Sequence, residues 1–383
     1  MLKKKVYSRN RAKSNMNKKV GAVAVFVLVF FITSITGCTE YFSLDNDSLT
    51  YEKQPVRVEY KIIYGYEINC SGTGSFRINY DCDIPEVLTG SVFEEILYEN
   101  DYKTVNIANN KIVQWNISGE NSNSYDLGVS ATVASESFLV SDLNGAGALT
   151  LDEIEIIHPD VFNQYTREQS AKNTVYIDPN SPSIKLVAEN IQNQADTNNS
   201  FVLAKNLFIW LKENTAYQTH NTNNSVQPAS LTIKRKTGDC DDLSFLYISL
   251  CRSVGIPSRF IRGYLIDLTN GVAGAVAHAW AEIFVGGNIG NNGWVPVECA
   301  CPSTDMSVQV NQNFGIETVG HLRLFQDDGS NASINASISG PRVFYDSNMD
   351  VDMTSFVEID YFEILEEKAL FVDSKGCRTY KTL

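Results

Sequence analysis

Thr237-Gly238-Asp239-Cys240-Asp241-Asp242 opens the stretch whose reading decides the fold. Behind it, Leu243, Leu246, Tyr247, Leu250 and Val254 recur at the i, i+3, i+4, i+7 spacing of one buried helix face. Asp239 or Thr237 can cap the helix start, and Gly255 with Pro257 beyond it stops the helix. Cys240 is thereby expected in the first turn, where unpaired N–H groups and the positive end of the helix dipole favour a thiolate. Downstream, Ala277–Phe284 alternates as a strand and Gly293–Glu298 reads as a second. The Gly/Asn-rich turn over 286–293 joins them, so His278 and Glu298 are expected to be neighbours across one sheet. A thiol, then an imidazole, then an acid is the order that a nucleophile, its base and the base's orienting group can take. Singly, each has a plainer reading: a buried cysteine is usually inert, and a histidine more often packs than reacts.

Four segments together turn that balance: Gly238–Asp242 (GDCDD), Arg252–Leu265 (RSVGIPSRFIRGYL), His278–Glu282 (HAWAE) and Gly293–Glu298 (GWVPVE). They resemble the transglutaminase-like superfamily, over roughly 160–320 and most strongly over 237–298. The resemblance implies a papain-like α+β fold, with Cys240 as nucleophile, His278 as general base and acid, and Glu298 as orienter. No cofactor and no metal are expected. Glu298 stands where Asp is usual, so a longer side chain has to be accommodated. Arg259 matches a position that supports the fold and is left outside the catalytic set.

Working outward, the start of the chain carries eight cations within its first 19 residues, then an apolar run from Val20 to Ile35 ending Ile35-Thr36-Gly37-Cys38. A basic region, an apolar region and small residues before a cysteine read as an export signal. Residues 1–37 are the expected signal or anchor segment. Its last four positions resemble a lipobox, with Cys38 as the lipidated residue; an uncleaved helical anchor is the alternative. The chain is expected to work at the cell envelope, outside the cytoplasmic membrane. Its net charge is −14, and removing the eight leader cations leaves −22. So acidic a chain lacks the basic face that phosphate contacts require, which argues against a nucleic-acid partner.

Residues 38–55 are polar and read as a tether. From Val56 to Cys70 every second residue is apolar or aromatic, one face of an extended strand, and Ser75–Tyr80, Thr104–Ile107, Lys111–Ile117 and Leu127–Val133 look like further strands. Residues 56–160 are therefore expected to form a β-sandwich-like amino-terminal domain. Cys70 and Cys82 flank its first turn, and a bridge between them is the favoured pairing in an oxidising compartment. Counting from Asp142, an acid, Asn144, Gly147, Leu149 and Glu153 fall at calcium-loop positions 1, 3, 6, 8 and 12. Position 5 is Ala146, which offers no side-chain oxygen. A Gly-rich turn into a short helix capped by Thr150 is the preferred reading.

Two amphipathic helices are expected over Ile184–Gln194 and Phe201–Lys212, packed beside the Cys240 helix in a catalytic domain spanning 161–325. Trp210 on the second is tempting as an oxyanion donor but reads better as core. The Cys240 backbone N–H is the expected donor, with no second one assigned. Asn214–Ser230 reads as a surface loop, with a solvated His220. Cys299 and Cys301, with Cys240 and His278, make a rival metal set, but their C-x-C spacing is not that of a zinc knuckle. Residues 326–383 form an expected β-rich extension whose sheet is left open.

The function expected from these readings is an exported cysteine-dependent amide hydrolase or acyl transferase, preferably a peptidase or amidase. Its partners are a protein or peptide substrate at the envelope, and the membrane through the amino-terminal anchor. A protein-crosslinking transamidase and a non-catalytic adhesion or assembly module are the alternatives.

Overall fold

Among the described residues, three larger antiparallel sheets, three two-stranded ones and a group of helices form the fold, seen here in a computed structural model that describes residues 41–45, 48–219, 226–269, 272–301, 303–337 and 340–382. The leader, Cys38 and His220 lie outside the described residues. No helix among the described residues is long and apolar enough to cross a membrane.

The first sheet is built on Ser48–Gly72, whose alternation buries Val58, Tyr60, Ile62, Tyr64, Ile68 and Cys70. Its order is Arg378–Lys381, Met349–Val372, Ser48–Gly72, Asn123–Glu136 and Gly90–Ile96, with Tyr41–Asp45 also pairing to Ser48–Gly72. The second sheet runs Arg342–Tyr345, Ser75–Asp83, Asn110–Glu120, Tyr102–Ile107. Side chains of both sheets share one core, with Tyr60, Ile62, Leu127 and Val129 from the first and Ile78, Tyr80, Val113 and Trp115 from the second. That is the layered arrangement in which two half-apolar sheets bury their faces.

Two expectations change here, and one left open is decided. Residues 41–45 and 48–55, read as a tether, are strand. Tyr51 is buried among Val308, Ile316, Leu370 and Val372, and its hydroxyl accepts a hydrogen bond from Asn311 Nδ2 at 3.0 Å. The late strand Met349–Val372 joins the amino-terminal sheet, pairing with Ser48–Gly72 from Met349↔Gly72 to Val372↔Leu49. Cys70 and Cys82 are separate buried thiols. The chain changes sheet at the turn between them: Cys70 pairs with Asn123 and Val351, whereas Cys82 pairs with Val113.

The third sheet, in the order Trp294–Val297, Val272–Phe284, Ser258–Thr269, His321–Gln326, carries the candidate site. Against it lies the helix Cys240–Ser253, flanked by helices Pro182–Ala195 and Ser200–Asn214. Leu243, Leu246, Tyr247 and Leu250 of the helix share a core with Ala279, Ala281, Ile283, Val295 and Val297 of the sheet. Trp210 packs against this core from Ser200–Asn214. The stretch expected as a loop over 214–230 also holds a short strand, Ala216–Tyr217, paired in parallel with Thr237–Gly238, and the start of a helix, Ala229–Arg235.

The turn tested for calcium closes on itself. Asp142 accepts from the backbone N–H and side chain of Asn144, and Asn144 Oδ1 accepts from the Ala146 N–H. Glu153 completes a capping box with Thr150 at the start of helix Leu151–Ile157. The carboxylate needed at loop position 12 is therefore engaged in capping the helix.

Candidate active site

The local sequence fixes the start of the Cys240 helix tightly. Asp239 is the N-cap, and Asp239 and Asp242 form a reciprocal capping box. Asp242 is fully buried and accepts from both the backbone N–H and the side-chain amide of Gln227, at 2.6 and 2.7 Å. Gly238 leaves room for this carboxylate; a Cβ there would sit 2.5 Å from Asp242 Cβ. Cys240 is the first helical residue, with its thiol at the half-buried edge of the core.

His278 lies in the strand Val272–Phe284, opposite Gly263. A Cβ at Gly263 would meet the Leu322 carbonyl oxygen at 1.8 Å, so glycine there lets Ser258–Thr269 and His321–Gln326 approach closely. The next strand pairs Val297 with Ala281, and Glu298 follows at once. Glu298 Oε2 lies 2.6 Å from His278 Nε2, as the hairpin reading anticipated. With Nε2 so engaged, Nδ1 is the ring nitrogen left to face the Cys240 thiol, with which His278 interacts. The structure thus brings together Cys240, His278 and Glu298.

Electrostatics at the site oppose one another. Burial pushes the Cys240 thiol up; the hydrogen bond and charge of His278 pull it down, and Asp241 and Asp239 push it up again. The expected help from the helix terminus is thus outweighed by desolvation and by the carboxylates of the same turn. Burial acts against a charged His278. The Glu298 charge and hydrogen bonds to Glu298 and Cys240 nevertheless hold it well above an ordinary histidine. Glu298 is desolvated, yet the two histidines hold it well below the usual carboxylate range. Asp241 is raised to about 6, by burial first and the Asp239 charge second, with Arg262 opposing. It therefore does not share the purely capping role of Asp242.

Behind the site lies a buried ionic cluster. Glu282 pairs with Arg259 and Arg323; Arg323 also pairs with Glu317, which accepts from Trp280 Nε1 at 3.1 Å. Arg259 stacks 3.9 Å over Trp294, the supporting role expected of it.

Two residues near the site were missed in the sequence. His321 Nε2 lies 3.1 Å from the same Glu298 oxygen that meets His278. It is one of only four histidines and opens an alternating strand, and that scarcity was the available signal. Tyr217 stands on the short strand beside Gly238. Its phenol is raised by burial and by the charges of Cys240, Asp239, Glu298 and Asp241. No periodicity marks it.

Among the described residues, His278, Glu298 and His321 are brought together with metal-ligating atoms within 4.8 Å of one another. Two nitrogen or oxygen ligands of one tetrahedral zinc sit roughly 3.3 Å apart. The 2.6 Å His278–Glu298 contact is shorter, the distance of a direct charge-assisted hydrogen bond. Cys299 and Cys301 do not join this group. Cys299 lies buried in the helix–sheet core, and the carbonyl oxygens of both accept from Lys212.

Residues 186–299 match the model of the Transglutaminase-like superfamily. No curated protein sequence matches the chain. A proposed cysteine protease from Cytophaga hutchinsonii is similar at 16% identity, covering 86% of this chain and 99% of that one, with a TM-score of 0.45. The periplasmic domain of TgpA from Pseudomonas aeruginosa, bound to ethylmercury, is similar at 13% identity over 62% of this chain and 94% of that one, TM-score 0.31. Red sea bream transglutaminase is similar at 8% identity, over 84% and 79% of the two chains, TM-score 0.23.

Proposed function

We propose that this chain, transglutaminase-like in fold, is an exported cysteine-dependent acyl-transfer enzyme acting on peptide or isopeptide amides, with hydrolysis preferred. One observation carries the reading: an imidazole that interacts with a thiol at a helix start has its Nε2 2.6 Å from a buried carboxylate. Cys240 attacks the amide carbonyl carbon while His278 takes the thiol proton. His278 then protonates the departing amine as the C–N bond breaks, leaving a thioester on Cys240. Water, deprotonated by His278, adds to the thioester and releases the acid; an amine in its place gives transamidation. Glu298 fixes the imidazole orientation and stabilises the imidazolium. The Cys240 backbone N–H is the candidate for one oxyanion donor, and the Tyr217 hydroxyl for the second.

The basic and apolar leader ending at Cys38 supports export with a lipid or helical anchor, and a protein or peptide substrate at the envelope. The test is incubation of the purified protein with a glutamine- and lysine-containing protein substrate and a fluorescent primary amine, beside a Cys240→Ala control. Cys240-dependent cleavage or deamidation without amine incorporation is the expected result. Cys240-dependent incorporation would make the chain a transamidase. If neither differs from the control on a broad substrate panel, the reading gives way to the adhesion or assembly module.

A further inference from the structure

We infer that His321 is a second histidine of the site, a positioning residue that holds Glu298 on His278; this rests on the acyl-transfer reading above. Glutamate has one more rotatable bond than aspartate, so a carboxylate at position 298 needs extra restraint to orient an imidazole. The structure supplies it from three directions. The Ala300 N–H donates to Oε1 at 2.6 Å, and His278 and His321 both reach Oε2, at 2.6 and 3.1 Å.

His321 is itself immobilised. Its Nδ1 lies 2.9 Å from Thr318 Oγ1, and its ring meets Trp280 edge-on at 4.9 Å, in a strand that pairs Leu265 with His321. The Trp280 Nε1–H is tied in turn to Glu317, which pairs with Arg323. An ionised carboxylate can only accept, so His321 Nε2 must carry the proton of its bond to Glu298. In the neutral ring, Nδ1 is then the acceptor, and the Thr318 hydroxyl donates to it. The carboxylate's orientation is thus set through a chain of side chains rooted in the buried ionic cluster behind the sheet.

Positioning and charge sharing predict opposite results when His321 is removed. If His321 positions Glu298, the carboxylate loses one of its three bonds. The imidazolium formed as His278 takes the Cys240 proton is then less stabilised, and alkylation of Cys240 slows. If His321 only draws charge from Glu298, its loss leaves more charge on His278 and alkylation quickens. The experiment is the iodoacetamide rate at Cys240, followed by mass spectrometry across pH, in the full chain and in His278→Ala, His321→Ala, His321→Gln and Thr318→Val.

The expected result is about tenfold slower alkylation near pH 7 in His321→Ala, the size of losing one hydrogen bond to a charged group. The profile moves to higher pH. His321→Gln, which can still present an amide N–H, recovers most of the rate, and Thr318→Val shows a smaller loss than His321→Ala. Should His321→Ala fail to fold, the Gln and Val variants carry the test. An unchanged or faster rate in a folded His321→Ala overturns the proposal, as does a folded His321→Gln impaired as much as His321→Ala. With His321→Ala unfolded, an unchanged rate in Thr318→Val overturns it. If His278→Ala has no effect, the acyl-transfer reading falls and this inference with it. If His278→Ala is slow and His321→Ala is not, only this inference falls.

Discussion

At the scale of single residues, the site is a contest between desolvation and charge, and Asp241 is the residue that shows it. Held at about 6, its carboxyl keeps a proton in the fold that the unfolded chain, at its ordinary value of 3.8, has already released. Ionising it therefore costs stability as pH rises from about 4 to 6, and the full cost is present above that window. The same negative charge pushes the neighbouring Cys240 thiol up. Asp241→Asn removes both effects. It is expected to raise the unfolding midpoint at pH 7 relative to pH 4. It is also expected to speed Cys240 alkylation at pH 7 roughly two- to fivefold, the change a nearby half-buried charge produces. A slower reaction would mean that Asp241 assists the thiolate and that its electrostatic role is misassigned.

At the scale of elements, the nucleophile depends on a turn with no spare volume. Gly238 pairs with Tyr217 and faces the Asp242 carboxylate that closes the capping box. Gly238→Ala drives a methyl to 2.5 Å from Asp242 Cβ, so the turn or the helix start must shift. The expected cost is roughly 1–3 kcal/mol, as for overpacking elsewhere, read from the denaturant midpoint. An unaltered midpoint would mean the turn is looser than its contacts imply. Elements like this one were legible because their signals are local. The i, i+3, i+4, i+7 stripe of Leu243–Leu250, the acid cap and the Gly-rich hairpin each act within a dozen residues. Pairing between distant strands leaves no such trace. Met349–Val372 is partly apolar and rich in exposed acids such as Glu358, Glu363 and Glu367, so its pattern does not say which sheet it joins. For the same reason, Cys70 and Cys82, close in sequence, could be read as bridged although their strands belong to different sheets.

At the scale of the molecule, the candidate site is made by the tertiary fold. Cys240 comes from a helix, His278 from one strand, Glu298 from the end of the next, and His321 from a strand two places across the sheet. The order thiol, imidazole, acid was visible along the chain because each stands in its own motif. The fourth member was not, since His321 reaches Glu298 only after Ser258–Thr269 has paired with both Val272–Phe284 and His321–Gln326. On the proposed function, this convergence gives one reactive cysteine among several buried, inert ones. Burial drives Cys82 and Cys251 up to about 12 and Cys299 well above an ordinary thiol. Each lacks the imidazole partner that Cys240 has. The most direct test is competitive alkylation of the folded, reduced protein with iodoacetamide from pH 5 to 10, with every cysteine quantified by mass spectrometry, in the native chain and in His278→Ala. Cys240 is expected to be modified first near neutral pH and to lose that lead in His278→Ala. Modification of Cys240 no faster than Cys251 or Cys299, or a lead that survives His278→Ala, would contradict it.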